Sequence, residues 1–484
     1  MKQSVRKNLG MQILLELLNI CTPFITAPFL ARRLGASQLG VFSYTSSIAI
    51  YFALFAILGT ANYGTRSIAS CKEDRLERSR IFWEIFALQL TGGLFAMSAY
   101  VVYLSVSVRE NQLIAWLQLL EILSRMSDIT WLFFGLEEFR YTVRRSVIIK
   151  LLTVVLVLLL VKETGDLWIY TSIMLGGRLF SQLILYVRLP SCVTLYRPKL
   201  RGILSHIRPN LALFVPILAM SVYHAMDKTM LGLLSTYEQS GFYYNADKVI
   251  SIPLGITNGV TAVLLPRTSM LLSEGKKQEA DRLFLKSLEG ISVLFIALAL
   301  GAAAVSPEFI PFFYGPGYGP CVLLVMALAP VYVFKSISAV ARIQYMVPMR
   351  MEHAITWSVL CGALVNLILN LLLIPRYEAL GAAAATMLSE FYACIFQLAV
   401  LKRHGFSFEG LIKRCGMYLA GGVIMVIFVR ISARISDTLS LQLLMEILTG
   451  FCVYGLFLAL FWRKKSQFRH ILFSVFSQFH KNKD

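Results

Sequence analysis

Charge is scarce in this sequence: only 15% of its 484 residues are Asp, Glu, Lys or Arg, against about 25% in an ordinary soluble domain. What charge there is leans one way, with 46 basic residues against 27 acidic and a formal net charge of +19. A basic surplus can mark nucleic-acid binding, but that needs a solvated basic surface, and a chain that is 57% hydrophobic has little of one. Cysteine pairing is missing too. The eight cysteines (Cys21, Cys71, Cys192, Cys321, Cys361, Cys394, Cys415 and Cys452) are scattered without CxxC spacing and read as reduced packing residues. There is no Walker loop, no HExxH, no Cys/His metal spacing and no GxSxG elbow, so no catalytic residue, metal or cofactor is expected.

Long apolar runs are abundant. They recur from end to end, each able to cross a hydrocarbon core of about 30 Å as a helix. Apolar windows between charged breaks predict an all-α polytopic membrane protein of about 14 spans: 9–31, 41–58, 81–106, 113–134, 145–161, 167–187, 210–234, 242–265, 288–309, 321–345, 354–374, 379–400, 416–432 and 440–462. The first run has no small-residue cleavage site and reads as a retained helix rather than a signal peptide. With the amino terminus cytoplasmic, cytoplasmic segments hold 33 Lys and Arg against 7 in outer loops, Arg145 and Lys150 counting with the basic side. That asymmetry predicts both termini in the cytoplasm of a plasma-membrane protein. Arg32 and Arg33, in an outer loop, dissent.

The basic, proline-containing stretch between the sixth and seventh spans marks a linker at 191–209 between six-span bundles at 1–190 and 210–402, with two further helices and a basic tail at 403–484. Placing Gly40 on Gly241, an offset of 201 residues, aligns LGVFSYTSSI with SGFYYNADKVI, which supports an internal repeat of six helices.

Charges inside a membrane are costly and usually face a cavity or a partner. Glu121, Arg125 and Asp128, spaced i, i+4 and i+7 with Gln118, predict one polar face on the fourth span, a cavity wall or a self-satisfied packing triad. Arg178 with Gln182 offers a second wall, and Glu16 with Asn19 a third. In the second half, Asp227–Lys228 and Asp247–Lys248 share a depth on antiparallel neighbours, so one pair reads as a cross-helix salt bridge. Lys335, Arg342 and Glu390 lie in later spans. A free cation there could bind phosphate, and a free carboxylate a proton or sodium ion. His224, Asn258, Asn366 and Asn370 read as interhelical hydrogen bonders. Pro23, Pro28, Pro216, Pro253 and Pro330 interrupt their helices and allow bending.

Five strings in order, APFLARRLGASQLGVFSYTSSI (27–48), NYGTRSIAS (62–70), DITWLFFGLEEFRYTVRRSVIIK (128–150), YYNADKVISIPLG (243–255) and GALVNLILNLLLIPRYEALGAAAATMLSEF (362–391), resemble the Wzx-type polysaccharide repeat-unit flippases of the MOP superfamily. The resemblance implies a MATE-like fold, two six-helix bundles around a central cavity plus two carboxy-terminal helices. It implies a substrate, an undecaprenyl-pyrophosphate-linked oligosaccharide moved to the outer leaflet for capsule, exopolysaccharide or O-antigen synthesis, driven by H+ or Na+. Polysaccharide polymerase and glycosyltransferases are the implied protein partners, with membrane lipids around it. Arg66 joins Arg125, Arg178, Lys228, Lys248, Lys335 and Arg342 as candidate substrate contacts, and Asp128, Asp247, Glu390, Glu121 and Asp227 are the candidate ion-coupling carboxylates. Buried cations and acids nearly balance, which leaves the sign of the cavity open. A MATE-type cation or drug antiporter, a membrane polymerase and a non-transporting scaffold are the alternatives.

Overall fold

The computed structural model describes residues 2–463, with side chains undescribed at 2–17, 19, 20, 212, 215, 216, 219, 462 and 463. Glu16, Asn19 and Pro216 therefore lie outside the described side chains. The described residues are helical with no strand. Eight helical stretches are long and apolar enough to cross a membrane. Two of them, 21–70 and 352–403, run to 50 and 52 residues, about 75 Å if straight and far more than one hydrocarbon thickness.

Both fold back on themselves. Helix α1 (Lys2–Ile57) breaks at Gly35, whose φ of 76° and ψ of 170° suit a residue without a Cβ. Helices α2 (Thr60–Ser70) and α3 (Arg75–Ser107) follow, α3 being capped by Asp74, whose carboxylate accepts the Leu76 and Glu77 N–H groups. The window expected as one helix at 113–134 is instead three pieces, α4 (Gln112–Leu117), α5 (Leu119–Met126) and α6 (Thr130–Gly135). The second of the two interruptions, before α6, is met by a side chain of another helix. Gln89 of α3, fully buried, donates from Nε2 to the carbonyls of Arg125, Met126 and Asp128 and accepts from Thr60 and Trp131. It satisfies the carbonyls that a break exposes, so the chain can turn there without orphaned polar groups.

Helices α7 (Phe139–Leu160) and α8 (Leu167–Cys192) complete the first bundle. The linker then docks on α3: Arg78 donates to the Cys192 carbonyl at 2.6 and 3.0 Å, Arg75 to that of Pro190 and Trp83 to that of Thr194. After the short α9 (Leu200–Ser205), the second bundle holds α10 (Ile207–Leu234), α11 (Tyr237–Ser273) and α12 (Lys277–Tyr314). Then come α13 (Pro320–Leu328), α14 (Val331–Ala339) with a π-helical turn at Val340–Met346, and α15 (Glu352–Arg403). Pro330 separates α13 from α14, and α15 breaks at Glu378, with φ at 50°. Helices α16 (Glu409–Ser432) and α17 (Leu439–Arg463) end the described chain.

The bundles meet where the second arm of α1 crosses the start of α11. A Cβ on Gly40 would stand 1.6 Å from the Tyr237 carbonyl oxygen, and one on Gly241 1.8 Å from that of Ala36. The contact is reciprocal: Ala36 and Gly40 correspond to Tyr237 and Gly241 at the same 201-residue offset found in the sequence. That is the pattern of an isologous, two-fold interface, here between halves of one chain.

Candidate functional site

Below the Gly40–Gly241 crossing two cavities adjoin. One, of about 520 Å³, is lined from the first bundle by Arg125, Arg145, Lys150, Tyr170 and Arg178 and from α11 by Tyr244 and Lys248. The other, of about 420 Å³, is lined by His224, Lys248, Asn258, Lys335 and Arg342. Lys248 and Pro23 line both, so the two form one path across the bundle interface. A smaller side chamber shares His224, Lys335 and Arg342 and adds Tyr223 and Glu390.

The charge of this lining is one-sided. Seven Lys and Arg side chains line the three spaces, and Glu390 is their one lining carboxylate. Glu121, itself 2% exposed, lies behind the wall and holds two of the cations, with Arg125 Nε 3.0 Å from Oε1 and Arg178 Nη1 2.7 Å from Oε2. One carboxylate thus fixes two half-exposed guanidinium groups at the cavity surface and leaves the trio with a net positive charge. Arg145 has no ion pair among the described residues and is positioned by hydrogen bonds, donating to the Ser181 carbonyl at 2.8 Å, Gln182 Oε1 and Ser146 Oγ. The Lys248 ammonium sits 4.1 Å from the Tyr244 ring centroid, a cation–π contact that leaves its charge uncancelled. Lys335 lies 3.7 Å from Glu390.

Not all the expected residues come together here. Arg66 is exposed on α2, away from the cavity lining. Lys228 pairs with Asp247 at 3.0 Å behind the lining. Asp128 departs from the expected face, because α5 ends at Met126 and the carboxylate instead accepts the Thr130 N–H at 2.8 Å, next to the start of α6. Arg145 and Lys150 are the additions. Their signal was their register: Arg145, Ile149, Thr153 and Val157 recur every four residues and all face the cavity, with Ser146, Lys150 and Val154 beside them.

Asp227 stands apart. It is buried, with no salt bridge among the described residues, and four neutral donors surround it: Tyr243 Oη at 2.7 Å, Thr386 Oγ1 at 2.6 Å, Asn366 Nδ2 at 3.0 Å and Asn370 Nδ2 at 2.7 Å. The Asn370 side-chain oxygen has no hydrogen-bond partner among the described residues. Among the described residues no three His, Cys, Asp or Glu side chains gather as a metal site.

Comparisons with known proteins agree with this architecture. The chain is 22% identical over 397 residues, covering 80% of its length and 94% of the relative's, to an Escherichia coli (strain K12) protein named "Putative O-antigen transporter". It is 26% identical over 215 residues to lipid II flippase MurJ of Bacillus subtilis (strain 168), covering 43% of this chain and 38% of that one. Among solved structures, lipid II flippase MurJ in an inward closed conformation superposes with a TM-score of 0.73 at 15% identity, covering 94% of this chain and 99% of that one. An inward-facing multidrug resistance MATE transporter of the MOP superfamily gives 0.61 at 12% identity, covering 81% and 96%. At these identities the structures speak for the fold, which is the MATE-like one expected. The polysaccharide biosynthesis protein family model matches residues 5–272, more than half of the chain. The protein therefore belongs to the polysaccharide biosynthesis protein family.

Proposed function

We propose that the protein flips oligosaccharide repeat units linked to undecaprenyl pyrophosphate from the cytoplasmic to the outer leaflet of the plasma membrane, for O-antigen, capsule or exopolysaccharide assembly. The sign of the cavity carries this reading. A pyrophosphate-sugar headgroup is anionic and strongly hydrated, so hydrocarbon excludes it, whereas seven cations with hydroxyl and amide neighbours replace its water. Arg125 and Arg178, half-exposed and anchored by Glu121, are the best-placed diphosphate contacts in the first bundle, and Lys335 and Arg342 in the second. Lys248, common to both cavities, lets a bound anion be shared between bundles as they rock. An antiporter of cationic drugs needs the opposite sign. Both termini and the basic loops then face the cytoplasm, against anionic lipid and the glycosyltransferases and polymerase of the same assembly system.

Of the five candidate coupling carboxylates, Asp227 is the one we assign to the driving H+ or Na+. Glu121 and Asp247 are occupied by ion pairs, Asp128 accepts a backbone N–H, and Glu390 lies beside Lys335. A buried carboxylate ringed by neutral amides and hydroxyls carries an uncompensated charge that a monovalent cation or a proton would cancel.

The test is substitution in a strain that needs the protein for surface polysaccharide. Arg178→Ala, Lys335→Ala and Arg125→Ala should each abolish the polymer and trap lipid-linked oligosaccharide on the cytoplasmic side, with normal protein levels. Normal polymer from all three would sink the reading. Asp227→Asn should remove the dependence of flipping on the ion gradient, and an unchanged dependence would dismiss the coupling assignment alone.

A further inference from the structure

A second basic site lies outside the central path. A surface cavity of about 430 Å³ is lined by Glu138, Arg140, Tyr141, Arg144 and Arg188. Arg140 and Arg144 stand one turn apart near the N-terminus of α7, both exposed, with no hydrogen-bond or ion-pair partner among the described residues. Like charges at i and i+4 repel, and positive charge at a helix N-terminus is opposed by the helix dipole. Nothing acidic on the first turn of α7 offsets either. Arg188, from the end of α8, is held by Glu138 at 2.8 Å and lies 5.2 Å from the Tyr141 ring centroid. The Tyr141 hydroxyl is itself fixed on the Ile184 carbonyl at 3.1 Å. Glu138 cancels one of the three guanidinium charges. Two positive charges and a helix N-terminus remain around one hollow, which suits a phosphate or diphosphate group.

We propose that Arg140, Arg144 and Arg188, set round the N-terminus of α7, bind the phosphate headgroup of a membrane lipid outside the central cavity. The position matters because the next residue, Arg145, lines that cavity, so an anion held by Arg144 is one residue from the transport path. Two lipids share the chemistry: the polyprenyl diphosphate carrier, in which case the site captures substrate and rests on the flippase reading, and an anionic phospholipid, in which case it stands without that reading.

Native mass spectrometry of the purified full chain separates these, using undecaprenyl pyrophosphate and phosphatidylglycerol as probes. R140Q/R144Q should lower the affinity for one of them at least ten-fold. R109Q, at an exposed arginine that lines neither this hollow nor the central cavities, should leave that lipid bound. Loss of the diphosphate lipid identifies a capture site, and loss of phosphatidylglycerol identifies a bilayer-lipid site. If the double variant folds with an unchanged melting midpoint and retains both lipids at wild-type affinity, the proposal is wrong. R140K/R144K, which keeps the charge, should retain most of the binding.

Discussion

Replacing Gly40 by alanine should open the end of the molecule where the bundles cross. The added Cβ would lie 1.6 Å from the Tyr237 carbonyl oxygen, so α1 and α11 must part by about 1.4 Å to reach even 3.0 Å, a separation real Cβ atoms essentially never undercut. Neither side can yield locally, since the obstacle is backbone. Gly241→Ala meets the Ala36 carbonyl in the same way at 1.8 Å. Overpacking of this kind costs about 1–3 kcal/mol. Because a membrane bundle can relieve it by rocking apart, that energy falls on the closed state and shifts the open-to-closed ratio by about 5- to 150-fold. The assay is a distance distribution between spin labels at the exposed Ser37 and Glu238, on either side of the crossing. The short distance should lose population in either glycine variant and disappear in the double variant, with surface polysaccharide reduced. Gly259→Ala, on the same helix α11 but with nothing within 4 Å of the added carbon, is the control. If G40A and G241A keep the wild-type distance and full polymer, the crossing is not the closing contact.

Other substitutions test separate parts of the structure. Glu121→Gln leaves Arg125 and Arg178 without their anchor, and because both are half-exposed the loss should be about 1–3 kcal/mol, below that of a fully buried pair, read as a lower melting midpoint in detergent. Gln89→Leu strips hydrogen bonds from three carbonyls at the break before α6 and should destabilise by about 1–3 kcal/mol, with faster amide exchange across residues 125–131; unchanged exchange would mean that the break holds without it. Arg145→Gln should impair polysaccharide export as severely as Arg178→Gln while expressing normally, and wild-type export would remove it from the cavity's working residues.

The fold was legible because its periodicity and its charge placement act along the chain: the predicted apolar windows fall on helices, though 113–134 and 321–345 are broken into pieces, and Gly40 and Gly241 could be paired by sequence before they were seen to touch. What acts across the chain was not legible. The interruption between Arg125 and Thr130 depends on Gln89 of a different helix, so the i, i+4, i+7 spacing of Glu121, Arg125 and Asp128 overstated a common face. Arg145 and Lys150 looked like loop charge because they stand at the start of the apolar window 145–161, yet α7 begins earlier and the cavity reaches them. The dissenting Arg32 and Arg33 are explained by their partners. Arg32 donates to the Phe312 carbonyl at 2.6 Å and Arg33 to that of Lys162 at 3.2 Å, so they clasp neighbouring segments at the bundle crossing. Likewise Asp227 and Asp247 look alike in sequence, and only geometry separates the one with a lysine from the one without.

The docked linker constrains how the two halves can move. Arg75, Arg78 and Trp83 bind its backbone to α3 as far as Thr194, and His206, between Tyr63 at 2.7 Å and Glu84 at 3.1 Å, binds it again just before α10. What joins the halves is therefore not a slack tether but a strut belonging to the first of them. Between these anchors run residues 195–205, where Gly202 packs against Glu84, so the pivot is set at the root of α10, where Asn210 packs against the bend at Gly59. Lengthening the linker before His206 should leave transport intact, whereas inserting residues after it should uncouple the halves.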